Sequence, residues 1–433
     1  MKTNLFCLIL VLITGLYACK KELDPVFDKS PDARINETLR QYQAVLTGAP
    51  YGWKALVYPA GVPNSVFSFF FRFNDSNRVQ MFSDLDGTSS VKMRESSWRL
   101  KSLQQPSLLF DTYSYLHVLC DPDAGNNGGS YGQGLGSDFE FAINSLHGDT
   151  IELTGRFHSS KALLVKATQQ DMDNYYQHRM NRDIDSVSAI LTYFRRLTAG
   201  NAKYDIRISQ NLHLMNFTWV YKGKAQTFTT GYYYTPDGIR LSPAFNDSTS
   251  VISSIDNIRW SNGQLTCSVN GSAATIGETV RPLALDVNAP QRWYKYALDR
   301  GRYWGSDEGF HVNGADDAFH IRSLPDFFQL VFWPQAQGAG VDFDMLGFVL
   351  KVGDARPTLS YGPAYTQPDF TSDGRAVFSD IGLYGKLPPD KTPVLRSRAV
   401  MANPQGFYLI QVGPVAYDMV SASDGKSWIS WSF

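Results

Sequence analysis

The stretch Val66-Phe67-Ser68-Phe69-Phe70-Phe71-Arg72-Phe73, then Asn74-Asp75-Ser76-Asn77, then Arg78-Val79-Gln80-Met81-Phe82-Ser83 decides the fold class. Two runs rich in aromatic and branched residues flank four residues that favour a turn, which is the pattern of an antiparallel hairpin. The same grammar extends outward on both sides. Further strands are expected at 53–58, 97–101, 108–115, 139–143, 151–155 and 163–166, with Asp86-Gly87 and His147-Gly148-Asp149 as turns. A second series is expected at 204–208, 212–221, 225–234, 239–241, 255–260 and 265–269, with turns at Thr235-Pro236-Asp237-Gly238 and Ser261-Asn262-Gly263.

Helices are expected in few places. Ser30-Pro31-Asp32 offers a cap, a proline at the first helical position and an acid in the first turn, and Ile35, Leu39, Tyr42 and Leu46 share one face before Gly48. A longer helix is expected over 169–200, where Thr168 and Asp171 are spaced like a capping box and Met172, Tyr176, Met180, Ile184, Val187, Leu191 and Phe194 form a stripe. The chain therefore reads as mainly β, with antiparallel sheets (sandwich or barrel-like) in two to three lobes and one connecting helix. Its expected divisions are a lipoprotein signal peptide (1–18), a tether and short helix (19–48), a first β region (49–168), the connecting helix (169–200), a second β region (201–290) and a C-terminal β region (291–433).

Composition narrows the function. Of 433 residues 43% are hydrophobic and 14% aromatic, and 40 Lys+Arg stand against 41 Asp+Glu. This is a folding composition without the cationic excess that neutralises phosphates, so nucleic acid is not an expected partner. At the N-terminus, Lys2 precedes an apolar run from Leu5 to Ile13 that is shorter than the ~20 residues needed to span a bilayer. Leu16-Tyr17-Ala18-Cys19 then resembles a bacterial lipobox, which makes Cys19 the expected lipid attachment site. Cys120 and Cys267 read as small buried hydrophobes, although an oxidising compartment would permit them to pair.

Tyr51-Gly52-Trp53, Arg78-Val79-Gln80-Met81-Phe82-Ser83-Asp84, Phe110-Asp111-Thr112-Tyr113-Ser114-Tyr115-Leu116-His117, Gly136-Ser137-Asp138-Phe139-Glu140-Phe141 and Asp149-Thr150-Ile151-Glu152-Leu153-Thr154-Gly155 resemble the domain of unknown function 4302 family of Bacteroidota lipoproteins. The resemblance covers the first ~170 residues best. It implies an outer-membrane or cell-surface lipoprotein held to lipid through Cys19, working beside a TonB-dependent importer and its surface lipoprotein in nutrient uptake. The cargo would be a glycan, haem or a metal. No catalytic residues come with it.

The residues themselves offer two candidate sites. His117, Asp121, Asp123 and Asn126 lie at a strand end and in a Gly-rich loop that could turn oxygen atoms towards Ca²⁺, but the odd-position acids and terminal Glu of an EF-hand are missing. No cofactor is expected beyond that Ca²⁺. Tyr232 and Tyr234 fall on one face of a strand as a two-ring platform, and Trp333 precedes Pro334 in the third region. HExxH, GxSxG and P-loop patterns are absent, and Ser423-Asp424-Gly425-Lys426 places SxxK in a hairpin turn rather than on a helix. The expectation is a non-enzymatic accessory component that binds a ligand or partner. The alternative is a secreted glycan-acting hydrolase, whose paired carboxylates leave no local signature.

Overall fold

The computed structural model describes residues 30–336 and 340–433. Helix α1 (Pro31–Thr47) begins where Ser30 Oγ accepts the Ala33 N–H at 3.2 Å. Its last turn packs on the first β region: Leu46 is buried, and its carbonyl accepts the Trp53 indole N–H at 3.0 Å. Among the described residues no helix is long and apolar enough to cross a membrane.

The first β region is a closed, eight-stranded antiparallel barrel with consecutive strands side by side. Its strands are β1 (Trp53–Tyr58), β2 (Phe67–Phe73), β3 (Arg78–Ser83), β4 (Arg94–Ser102), β5 (Pro106–Phe110), β6 (Glu140–His147), β7 (Thr150–Gly155) and β8 (Lys161–Lys166). Closure comes from β1 against β8, with Trp53 opposite Lys166 and Tyr58 opposite Lys161. Alternation points Phe69, Phe71 and Phe73 inwards, with ring centroids 5.5 and 6.0 Å apart along the strand. Trp53, Met81, Trp98, Phe110 and Leu164 complete this core, so the lumen is packed rather than hollow. Helix α1 contacts β2, β4 and β5, with Leu46 bonded to Trp53 at one end of the barrel, and the opposite end carries the β1–β2, β3–β4, β5–β6 and β7–β8 connections.

Two expectations from periodicity need correction. The strand expected over 108–115 stops at Phe110, and Tyr115–Val118 is a single helical turn, α2. The helix expected over 169–200 is only α-helical as α4 (Gln169–Tyr176), after the one-turn α3 (Ala124–Asn127). Asp183–Ala189 forms a 3₁₀ helix and Phe194–Ala199 is strand β9. The stripe misled because Ile184 and Val187, spaced by three, suit a 3₁₀ turn equally well. Leu197 and Phe194 obey strand logic, Leu197 facing the core and Phe194 packing outwards on Tyr408. Strand β9 is also required for closure, since it pairs with both β10 and β16.

The second barrel comprises β9, β10 (Ala202–Ser209), β11 (Leu214–Tyr221), β12 (Lys224–Tyr234), β13 (Gly238–Asn246), β14 (Val251–Ser261), β15 (Gln264–Val269) and β16 (Ser272–Thr279). It rests on the first barrel's β1–β2 turn. Ser65 Oγ donates to the Leu212 carbonyl at 2.6 Å and Asn64 Nδ2 to that of Thr229 at 3.0 Å. The backbones approach so closely that a Cβ at Gly231 would sit 2.0 Å from the Asn64 carbonyl oxygen. Asp84 spans the seam, accepting the Ser68 N–H at 2.8 Å and the Tyr234 N–H at 3.1 Å.

After α5 (Ala289–Leu298), the C-terminal region is a curled 11-stranded sheet from Trp304 to Ser432 with its own aromatic core of Trp293, Trp304, Phe332, Phe348 and Trp431. Helix α6 (Thr392–Met401) packs beside it. This sheet joins the second barrel through Tyr193 against Trp428 and Phe194 against Tyr408.

Candidate functional site

Residues 111–139, between β5 and β6, fold over the end of the first barrel that also bears the β1–β2 turn. Leu116, Leu119 and Leu135 drop into its core, and Gly61 N–H donates to the Leu135 carbonyl at 3.1 Å. Asn127 Nδ2 bonds the carbonyls of Val118 and Asp121 at 2.8 and 2.9 Å. Gly136 is needed at φ 66°, where a Cβ would lie 2.7 Å from Gly61 N. The Gly-rich segment is therefore a pinned cap.

The expected ligand residues do come together here, but their polar atoms are engaged. The His117 ring accepts the Ser114 N–H at Nδ1 (3.2 Å), and its Nε2 faces the Phe110 carbonyl at 3.2 Å, which requires the Nε2–H tautomer. Burial lowers its pKa, so both nitrogens are used within a neutral ring. Asp121 accepts the Tyr113 hydroxyl at 2.5 Å, Asn126 Nδ2 at 3.1 Å and the Asp123 N–H at 2.9 Å. The Tyr113 hydrogen bond leads the effects holding the Asp121 carboxyl below its usual range. Asp123 caps α3 by accepting the Gly125 N–H at 2.9 Å. Among the described residues, no group of three or more His, Cys, Asp or Glu is placed to hold a metal ion.

What the cap does present is rings. Tyr113, Phe139 and Tyr131 are 56%, 40% and 81% exposed, and Phe157 on the β7–β8 turn is 87% exposed. His117 links two of them into a ladder, with its centroid 5.6 Å from Tyr113 and 4.8 Å from Phe139. Asp138 is buried just before β6 and anchors the neighbouring turn. It accepts the Phe157, His158 and Ser160 N–H groups at 2.7, 2.9 and 3.2 Å and the Ser160 hydroxyl at 2.6 Å. Beside the ladder lies a cavity of about 440 Å³ whose polar lining includes Asp86, Arg94, Asn126, Asn127 and Asn211. Arg94 lies over the Tyr115 ring at 4.6 Å. Burial, reinforced by the bond to Asp121, pushes the Tyr113 hydroxyl up to about 12, so it stays a donor at neutral pH.

The family model described as Domain of unknown function (DUF4302) matches residues 23–261, more than half of the chain. The chain belongs to the DUF4302 family. Within the DUF4302 match lie α1, the whole first barrel with its cap, and the second barrel as far as the end of β14. No curated protein matches the chain.

The other aromatic candidates of this DUF4302 chain fare differently. Tyr232 and Tyr234 do share a face, but it points into the second barrel: they are 0% and 2% exposed and pack against His213 at 5.2 and 5.3 Å. The stacking platform expected there is corrected to core. Trp333 is half-buried against Tyr303 at 5.4 Å in the C-terminal sheet, a different region from the two tyrosines. Cys120 and Cys267 are both free thiols, and burial pushes each up to about 12. Cys19 lies outside the described residues. Sequence reasoning missed Tyr131, Phe139 and Phe157 as a set. The available signal was rings placed in turns, as in Ser130-Tyr131-Gly132 and Arg156-Phe157-His158, where no core needs them.

Proposed function

We propose that this protein is a lipid-anchored binding component of the outer membrane or cell surface that holds a glycan at the mouth of the first barrel, for delivery to a nutrient importer. The observation carrying this reading is the grouping of four exposed aromatic side chains around one pinned barrel end. Exposed rings of this kind mark interaction sites, because leaving them in water is unfavourable unless a ligand covers them. Ring faces suit the apolar faces of sugars, while the amides of Asn126, Asn127 and Asn211 and the charges of Asp86 and Arg94 suit hydroxyls. A glycan is favoured over haem or a metal because both nitrogens of His117 are occupied. A binding role is favoured over hydrolysis because Asp86 is the one carboxylate among the described residues of the cavity lining, where glycoside cleavage uses a facing pair. Membrane attachment rests on Cys19 and its flanking residues.

The test is a glycan array followed by calorimetry on the chain from Lys20 onwards, which keeps every described residue. A Tyr113→Ala, Phe157→Ala double variant is expected to bind the best glycan at least about tenfold more weakly, with an unchanged melting curve. An empty array, or equal affinity in the variant, overturns the site. Loss of fatty-acid label from full-length Cys19→Ala checks the anchor.

A further inference from the structure

A groove of about 340 Å³ runs between the outer wall of the first barrel and the β12–β13 hairpin of the second. It is separate from the cap and its rings. Strand alternation explains how it arises. In β1 and β8 the inward positions Ala55, Val57, Ala162 and Leu164 fill the lumen, so Leu56, Leu163 and Val165 face out. Outward positions on a water-soluble barrel are ordinarily polar, yet Leu56 stands directly opposite Leu163 in the register and Val165 lies two residues along. These three form a continuous apolar strip. Tyr175 and Met180 from the connector and Tyr233 from β12 roof it, with the 2%-exposed Tyr234 also at its edge.

The polar groups around this strip are unbalanced. Lys54 and Asp171 neutralise each other in an ion pair of 2.9 Å. Arg240 also lines the groove and is half-buried, and its guanidinium has no hydrogen-bond or ion-pair partner among the described residues. The Ser68 hydroxyl, on a residue only 4% exposed, also borders the groove, with the Tyr175 hydroxyl beside it. A half-buried guanidinium without a counter-charge is costly to keep, and an anionic group supplied from outside would offset that cost.

We infer that the inter-barrel groove is a second ligand site, for a single-chain amphiphile with a carboxylate head: a free medium-chain fatty acid. The acyl chain lies along Leu56, Leu163 and Val165 under Tyr175 and Tyr233, and the carboxylate meets Arg240. The volume is at the small end of the usual ligand-pocket range of ~300–1,000 Å³, which suits a tail of roughly ten to twelve carbons. Because the walls come from both barrels, an occupied groove ties the barrels together and raises the melting temperature.

The test is calorimetry and thermal melting of the chain from Lys20 onwards with dodecanoate below its micellar concentration. Dodecyltrimethylammonium serves as the same tail with the opposite charge. Dodecanoate is expected to bind one-to-one, to raise the melting temperature, and to bind at least about tenfold more tightly than the cationic probe. Arg240→Gln should weaken dodecanoate by about tenfold while leaving dodecanol unchanged, and Leu163→Trp should abolish binding of both by filling the groove. Arg240→Gln decides the matter even if the tryptophan variant fails to fold. Absence of dodecanoate binding, equal binding in Arg240→Gln, or no preference over the cationic probe overturns the inference. None of these outcomes bears on glycan binding at the barrel mouth, because Tyr113 and Phe157 lie outside the groove.

Discussion

The two barrels have the same strand number, the same up-and-down order and the same packed interior, yet they end differently. The second barrel closes several hairpins with two-residue turns, Lys222-Gly223, Asn262-Gly263 and Asn270-Gly271, all with positive φ at both positions. Those are the tight turns whose twist matches that of the strands. The first barrel instead carries residues 111–139 between β5 and β6 and folds them over its mouth. Both regions are rich in tyrosine, but Tyr232 and Tyr234 are core whereas Tyr113 and Tyr131 are surface. When an eight-stranded barrel is filled by its own side chains, a ligand surface can only be built at its ends or on its outer wall. Elaboration of one end therefore separates functional aromatic residues from structural ones.

The most severe way to break this contrast is to truncate one ring from each barrel. Tyr232→Ala should cost about 3–5 kcal/mol in urea denaturation, because it empties a fully enclosed site, while Tyr113→Ala should stay within about 1 kcal/mol. Similar losses for the two variants would dissolve the distinction between core and surface rings.

A smaller effect would sharpen the account of the cap. Asp138→Ala leaves three backbone N–H groups and one hydroxyl without their acceptor, so a loss of roughly 2–3 kcal/mol is expected. Hydrogen exchange should accelerate at residues 156–160 and not in the second barrel. Uniform acceleration across both barrels would show that Asp138 supports the whole fold rather than the rim.

The smallest expected effect lies at the seam. His213 is fully buried among Asp84, Arg182, Asp185, Phe67, Tyr232 and Tyr234, with its Nδ1 3.8 Å from Asp84 and 3.1 Å from the Val66 carbonyl. Burial lowers its pKa despite Asp84, so the folded state favours the neutral ring. The unfolded chain takes up that proton near pH 6.5, so the stabilisation is complete above ~6.5 and drains away as pH falls towards the folded-state value. Melting temperatures should decline from pH 7 to 5 more steeply in the wild type than in His213→Asn, a residue that tolerates the φ of 49° at this position. Parallel profiles would remove His213 as the titrating group.

The hairpin at 67–83, the turns, the cap of α1 and the predominance of strands were legible because each depends on residues within a few positions of one another. The candidate residues His117, Asp121, Asp123 and Asn126 fall within the one segment that folds over the barrel end, but their chemistry was not legible. Whether a carboxylate is free or already accepting from Tyr113 depends on a chain reversal that the spacing does not encode. The β9 strand was missed for a related reason: its sequence tolerates a helix, and only the need to pair with β10 and β16 makes it a strand.

The sequence by itself determined an antiparallel β protein with two separate strand series, a short capped helix at its start and a Cys19 preceded by a short apolar run. Tertiary structure alone decided that each series closes into a barrel, which tyrosines face water, and that Leu56, Leu163 and Arg240 border one groove. The physical reason is range. Periodicity and turn chemistry act over a few residues, whereas closure sets Trp53 against Lys166, and the direction a ring faces is settled only once the strands on either side of it are in register.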